Sequence, residues 1–245
     1  MQQTKAIIQR VRRINSKIQH VDLGIDEQLG EIKAGQSLLV RQGEDWQPYL
    51  RERWWPVSIS PQMLVIERPG HIKYEPGEFV SVLGPVGSFF RFRHNLRHVL
   101  LMAFDTPPTP LLSMIPLLLA NQASVTLLLL GDAATYQTTH LPPQVEVLHG
   151  GADLDWEGRV VTVGLADQIF AIVRPDDEIR RFGQIWNMLT ELRKDIRKNY
   201  LFGVFQSIPP CGAGACHACM VRLNQGTALA CTDGPTLDLS QVKLS

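Results

Sequence analysis

The four cysteines of this 245-residue chain, Cys211, Cys216, Cys219 and Cys231, all lie in its last stretch. Their spacing is C-x4-C-x2-C-x11-C, and the first three positions match the plant-type pattern for a [2Fe–2S] cluster. Two sulfide-bridged irons need four soft thiolates. The segment between the first two ligands must wrap the cluster, and Gly212, Ala213, Gly214 and Ala215 are small enough to do so. Glycine also admits positive φ, which turns backbone N–H groups toward sulfur. Structural zinc can take four cysteines too, but as two separated C-x2–4-C knuckles. Covalent haem wants C-x-x-C-H, whereas His217 here lies inside Cys216-His217-Ala218-Cys219. The expected chemistry is one-electron transfer through a [2Fe–2S] cluster on Cys211, Cys216, Cys219 and Cys231. The fourth ligand must return from a distance. Met220–Leu223 and Thr227–Ala230 can pair as a hairpin around Asn224-Gln225-Gly226 and bring Cys231 back beside Cys219.

The rest of the chain contains no cysteine, so a disulfide framework is not indicated. Lysine and arginine number 24 and aspartate and glutamate 24, which leaves no net attraction to nucleic acid or an anionic membrane. The start lacks the apolar run of a secretion signal, and Pro116, Asn121 and Gln122 interrupt the most apolar stretch, Leu111–Leu130. The cytoplasm is the expected location. No Ser/His/Asp signature or paired-carboxylate motif suggests hydrolytic chemistry of its own, so no catalytic residue is assigned.

Elements that could position the tail follow from the patterning. Residues 1–95 hold short Val- and Ile-rich strands separated by turn residues: Lys5–Val11, Ile18–Leu23, Ser37–Arg41, Val57–Ser60, Met63–Glu67 and Glu78–Leu83. Such a series predicts a small β barrel. Residues 96–206 alternate strand and helix. Val99–Phe104, Val125–Leu130, Val145–Leu148, Gln168–Val173 and Tyr200–Phe205 read as strands, and Leu111–Ala120 as a helix. The clearest helix carries Ile179, Phe182, Ile185, Leu189, Leu192 and Ile196 at three- and four-residue spacing. Asp176 or Asp177 can cap its start, and Arg193, Lys194, Arg197 and Lys198 suit its carboxyl end. Alternation of this kind predicts an α/β domain around a parallel sheet. Residues 207–245 form the cluster-binding domain.

On these residues the chain resembles the electron-transfer subunit of bacterial heterodimeric dihydroorotate dehydrogenase, within the wider ferredoxin-reductase-like group. The likeness rests on Cys211 to Cys219, on Ala230-Cys231-Thr232-Asp233-Gly234-Pro235, on Leu83-Gly84-Pro85-Val86-Gly87-Ser88-Phe89, and on Pro56-Val57-Ser58-Ile59. It implies a ferredoxin-reductase-like two-domain architecture, β barrel plus α/β, with a C-terminal [2Fe–2S] tail. It further implies FAD held on the barrel by Arg53, Pro56, Val57, Ser58, Gly84, Pro85 and Gly87. The partner it implies is a dihydroorotate dehydrogenase-like catalytic subunit, in a hetero-oligomer serving pyrimidine biosynthesis.

The sequence also departs from that family. Trp55 stands where the family has its flavin arginine, with Arg53 two residues earlier on the same side of a strand. No Gly-rich phosphate segment lies between Ser58 and Leu83. The turn after the first α/β strand is Phe104-Asp105-Thr106-Pro107-Pro108-Thr109-Pro110, whose prolines remove N–H donors that a phosphate would need. NAD(P) is therefore not expected, and FAD is left open. Two functions follow: an accessory subunit that passes electrons through the cluster, with or without FAD, or a redox-sensing or scaffold module that keeps the cluster but has lost flavin and NAD(P).

Overall fold

The computed structural model describes residues 2–43 and 50–244. The Val- and Ile-rich runs of the first part form seven antiparallel strands. They are β1 (Gln2–Arg13), β2 (Ile18–Gly24), β3 (Ser37–Gln42), β4 (Glu52–Trp54), β5 (Pro56–Ser60), β6 (Met63–Pro69) and β7 (Phe79–Val86). Their order in the sheet is β4-β3-β7-β1-β2-β6-β5. Only Trp55 separates β4 from β5, the two ends of that order, so the sheet curls into a nearly closed barrel. Side chains alternate across it, and Ile8, Val21, Leu38, Trp54, Leu64 and Val82 fill the inside. A short helix, α1 (Glu27–Gly30), follows β2 and is capped by Asp26, whose carboxylate accepts the Leu29 N–H at 3.1 Å.

The second part is the expected α/β layer. Its elements are β8 (His98–Phe104), α2 (Thr109–Leu112), α3 (Ile115–Ala120), β9 (Ser124–Leu130), β10 (Val145–Gly150), α4 (Arg159–Leu165), β11 (Gln168–Val173), α5 (Glu178–Leu192) and β12 (Leu201–Val204). The tail adds a hairpin, β13 (Met220–Arg222) with β14 (Thr227–Leu229), and a last strand, β15 (Thr236–Asp238). The sheet runs β10-β9-β8-β11-β12-β15, parallel except for β15, which pairs antiparallel with β12. The inner parallel strands β8, β9 and β11 are buried on both faces along most of their length, which is why they read as continuous apolar runs.

Three expectations need correction. The single helix over Leu111–Ala120 is two short ones, with Pro110 and Pro116 each in a first turn, where the missing N–H costs nothing. The helix carrying Phe182 ends at Leu192, so Ile196 and the basic residues from Arg193 lie beyond it. Arg193 is extended, and its guanidinium donates to Ala166 O and Tyr200 Oη, both at 3.2 Å. Asp177 makes no side-chain cap; it pairs with Arg180 instead. Helix α4 escaped sequence reading because Val160, Val161 and Leu165 face outward and no apolar stripe marks it.

The barrel joins the α/β layer through aromatic packing. Phe170, at the centre of β11, stacks on Phe202 with centroids 5.4 Å apart and meets the edges of Phe90 and Phe92 at 5.6 and 5.7 Å. Phe90 belongs to the segment that leaves the barrel. Phe170→Ala should cost about 3–5 kcal/mol, read as a lower denaturation midpoint; a change below about 1 kcal/mol would show that this cluster does not join the layers.

Candidate iron–sulfur centre

The tail folds the small-residue loop back on itself. Gly212 and Gly214 take φ values of +65° and +78°, and His217 takes +58°. These left-handed turns aim successive N–H groups inward. The Ala213 N–H reaches Cys211 Sγ at 3.5 Å, and the Ala215 and Cys216 N–H groups also point at it. Together with the Cys216 side chain they hold the Cys211 thiol down to about 6. Cys231 lies at the other side. Burial and a hydrogen bond with Cys219 push its thiol up to about 11, while the Gly214 N–H opposes the rise. The expected hairpin forms, and the Ala230 N–H donates to Cys219 O at 3.0 Å, so Cys231 does return beside Cys219. Cys219 and Cys231 are buried, Cys211 is half-buried and Cys216 is exposed. A thiol that prefers its thiolate form beside two buried thiols that share a hydrogen bond suits soft-metal ligation.

Arg53, on β4, is buried beside the start of the tail. It donates through Nε to Ser37 Oγ at 2.9 Å and through Nη1 to Phe205 O at 3.2 Å and Ser207 O at 2.8 Å. Its guanidinium lies 4.2 Å from the centre of the Trp55 ring. Burial lowers it to about 10, while Glu178, Cys219 and Cys231 act in the opposite direction. Arg53 is thus directed at the tail. Pro56 is buried and Val57 half-buried, with α2 lying directly against β5. Trp55 is part of the same apolar cluster as Leu111 and Leu112 of α2. Ser58 is exposed on the wall of a 700 Å³ cleft that Phe89, Phe90 and Leu117 also line.

Gly84, Pro85 and Gly87 end the barrel next to the tail. The Gly87 N–H donates to Cys231 O at 3.0 Å, the Ser88 N–H to Gly234 O, and Ser88 Oγ to Thr232 O at 2.8 Å. Gly87 has φ +90°, and a Cβ there would come within 2.9 Å of Pro235 Cδ, so only glycine allows the approach. The four thiols therefore converge, with Arg53 and Gly87 beside them, whereas Ser58 faces a different part of the molecule.

Residues 210–243 match the family described as the iron–sulfur cluster binding domain of dihydroorotate dehydrogenase B. This cluster-binding domain sits on a ferredoxin-reductase-like scaffold, as the resemblance implied. The chain is similar to the NADH-dependent reduced ferredoxin–NADP oxidoreductase of flavin-based electron bifurcation, with 16% identity, a TM-score of 0.72, and coverage of 98% of this chain and 90% of that one. It is similar to the Amycolatopsis cytochrome P450 reductase GcoB, with 16% identity, a TM-score of 0.61, and coverage of 82% and 68%. The cytochrome b5 reductase domain of Ulva prolifera nitrate reductase gives 14% identity, a TM-score of 0.56, and coverage of 82% and 97%. These likenesses concern fold. No curated protein matches the chain in sequence. Among the described residues no helix is long and apolar enough to cross a membrane. An iron–sulfur cluster-binding domain carried on this fold is electron-transfer machinery.

One residue beside the centre titrates near neutrality. Glu178 opens α5 and accepts the Gln206 N–H. Burial pushes its carboxyl from 4.5 up to about 7, against the pull of that N–H and of Arg53. A carboxyl raised in the folded state contributes fully below its unfolded pKa and loses that contribution as pH rises through the folded one. Glu178→Gln should therefore raise stability at pH 8, by about 1–3 kcal/mol, and change little at pH 4.5. Equal thermal shifts at both pH values would refute the assignment.

Proposed function

We propose that this chain is a one-electron relay that holds a [2Fe–2S] cluster on Cys211, Cys216, Cys219 and Cys231 and exchanges electrons with a partner oxidoreductase. The observation that carries the reading is the convergence of the four thiols around a loop whose N–H groups face sulfur. When bound, the cluster supplies a reversible one-electron couple whose potential depends on charge and hydrogen bonds at its sulfurs. The chain supplies three things to that couple. The Ala213, Ala215 and Cys216 N–H groups and the Gly214 N–H stabilise thiolate charge. Arg53 places a fixed cation near Cys219 and Cys231, which favours the more negative, reduced state. Cys216 and the loop residues 215–218 are exposed, which gives electrons a short path to a docked protein and favours relay over a purely structural role.

The partner best supported is a catalytic subunit of the dihydroorotate dehydrogenase type, because the matched family is the cluster-binding domain of that enzyme. A hetero-oligomer in the cytosol, serving pyrimidine synthesis, follows from that partner. The division into residues 1–95, 96–206 and 207–245 is part of the same proposal, with β15 lying in the last segment while pairing with β12 of the second.

FAD and NAD(P) fit this chain poorly. At the turn after β6, where the related subunits hold flavin phosphates, the Gly70 N–H is donated to Lys17 O at 2.7 Å and the Ile72 N–H to Pro69 O at 3.3 Å. Arg53 gives Nε to Ser37 and Nη1 to two backbone carbonyls, which leaves Nη2 alone without a partner, and α2 covers β5. After β8 a carboxylate takes the place a phosphate would need: Asp105 has φ +56°, accepts the Asp132 N–H at 3.0 Å and pairs with Arg181. A pyrophosphate brought to either turn would meet few free donors, and a like charge at the second.

Protein purified without oxygen should contain about two irons and two acid-labile sulfides per chain and release no flavin on denaturation. Stoichiometric flavin would overturn the flavin-free part of the reading and leave the relay. Cys216→Ser should bleach the visible absorption substantially, because a hydroxyl is a hard, poor replacement for thiolate. Iron and sulfide missing even after reconstitution would remove the relay itself.

A further inference from the structure

Away from the cysteines, the seam between barrel and α/β layer holds a group of ligand atoms that neither fold nor relay requires. His20 comes from β2, Glu67 from β6, and His140 from the segment between β9 and β10. Both histidine Nε2 atoms lie 3.8 Å from Glu67 Oε2, and the three ligand atoms all lie within 4.8 Å of one another. At 3.8 Å neither imidazole makes a hydrogen bond to the carboxylate. Two ligands of one tetrahedral zinc ion, each about 2.0–2.1 Å from the metal, stand about 3.3–3.4 Å apart. The spacing is therefore too wide for direct bonding and close to what a shared cation sets.

A second observation points to a ligand independently. His20 is 9% exposed, and its Nε2, which faces the carboxylate, has no hydrogen-bond partner. A buried ring nitrogen left this way costs free energy unless something outside the protein chain meets it. The remaining side is occupied by Tyr136, whose hydroxyl donates to Glu67 Oε2 at 2.6 Å and lies 3.2 Å from His140 Nε2. Thr109 donates to the other carboxylate oxygen, Oε1, and so fixes the plane of the group. Orientation of a ligating carboxylate by an outer hydrogen bond is what metal sites use. An entry path exists, because Glu67, Thr109 and Tyr136 line a 250 Å³ cavity at the surface of the seam.

We propose that His20, Glu67 and His140 bind one zinc ion, with water as the fourth ligand and the Tyr136 hydroxyl holding the ligating carboxylate oxygen from outside. Two imidazoles and a carboxylate form a nitrogen–oxygen set that suits zinc and is unlike the soft sulfur set of the tail. The ion joins β2 and β6 of the barrel to the α/β layer, and its binding does not depend on the cluster reading.

The test uses the full chain with its cysteines already loaded with iron and sulfide. Zinc chloride is added, excess metal is removed on a desalting column, and retained zinc is measured. Zinc K-edge absorption then reports the ligands. The expected result is one zinc retained per chain, with nitrogen and oxygen neighbours at about 2.0–2.1 Å and no sulfur shell at about 2.3 Å. Glu67→Gln and His140→Asn should each weaken retention at least about tenfold while visible cluster absorption is unchanged. Wild-type protein that retains no zinc, zinc with a sulfur shell, or folded variants that retain zinc as well as wild type would each overturn the proposal. Should a variant fail to fold, the K-edge spectrum of the wild-type protein decides alone.

Discussion

A guanidinium removed from water must be given acceptors, and the way Arg53 is given them organises this molecule. Its partners come from three places: Ser37 on β3, the carbonyls of Phe205 and Ser207 after β12, and the Trp55 ring beside its own strand. The carbonyls lie where the chain leaves the α/β sheet and begins the tail. Desolvating this cation therefore holds the entry to the cluster-binding domain against the barrel wall. Glu178 and the thiol groups of Cys219 and Cys231 act against part of the cost of burial. Loss of the carbonyls would leave a buried charge unpaired, which is among the more destabilising changes a protein can suffer.

The same economy of donors recurs at the places where related folds meet phosphate. A backbone N–H can serve a ligand or its own chain, and here the turns after β6 and β8 serve the chain. Gly70 is tied to the β1–β2 turn, and the loop after β9 donates to Asp105, which Arg181 holds in place. Such turns are stable without a nucleotide, whereas phosphate-binding loops leave donors free until the ligand arrives. By contrast the tail keeps its N–H groups turned toward sulfur. Within one chain, donors are closed off where phosphate would bind and left open where thiolates gather.

Much of this was legible in the sequence. The cysteine spacing, with glycine and alanine between ligands, marks the loop because few other uses require such small residues in a row. The buried parallel strands were readable as well, since Val99–Phe104 and Gln168–Val173 carry no polar alternation. The role of Arg53 was not. A single arginine two residues from a tryptophan looks like a displaced flavin contact, and only the path of the chain after β12 brings Phe205 O and Ser207 O within its reach. Gly84, Pro85 and Gly87 similarly read as flavin contacts on the barrel, whereas Gly87 receives the returning tail. His20, Glu67 and His140 lie too far apart along the chain to form any motif, and no local pattern could have joined them. Tertiary convergence of single residues leaves no periodic trace, which is where sequence reading ends.

The antiparallel strand β15 has a mechanical consequence. Its backbone ladder to β12 makes the last part of the chain an edge of the α/β sheet itself, while the Gly87 and Ser88 N–H groups fasten the cysteine region to the barrel. The redox centre is bolted at both ends instead of hanging from a tether. An electron carrier on a swinging arm can visit two stations in turn; in the proposed relay, one fixed in this way would keep a single outlook, and donor and acceptor would each have to come to it. Throughput would then be governed by how often proteins meet at that one face.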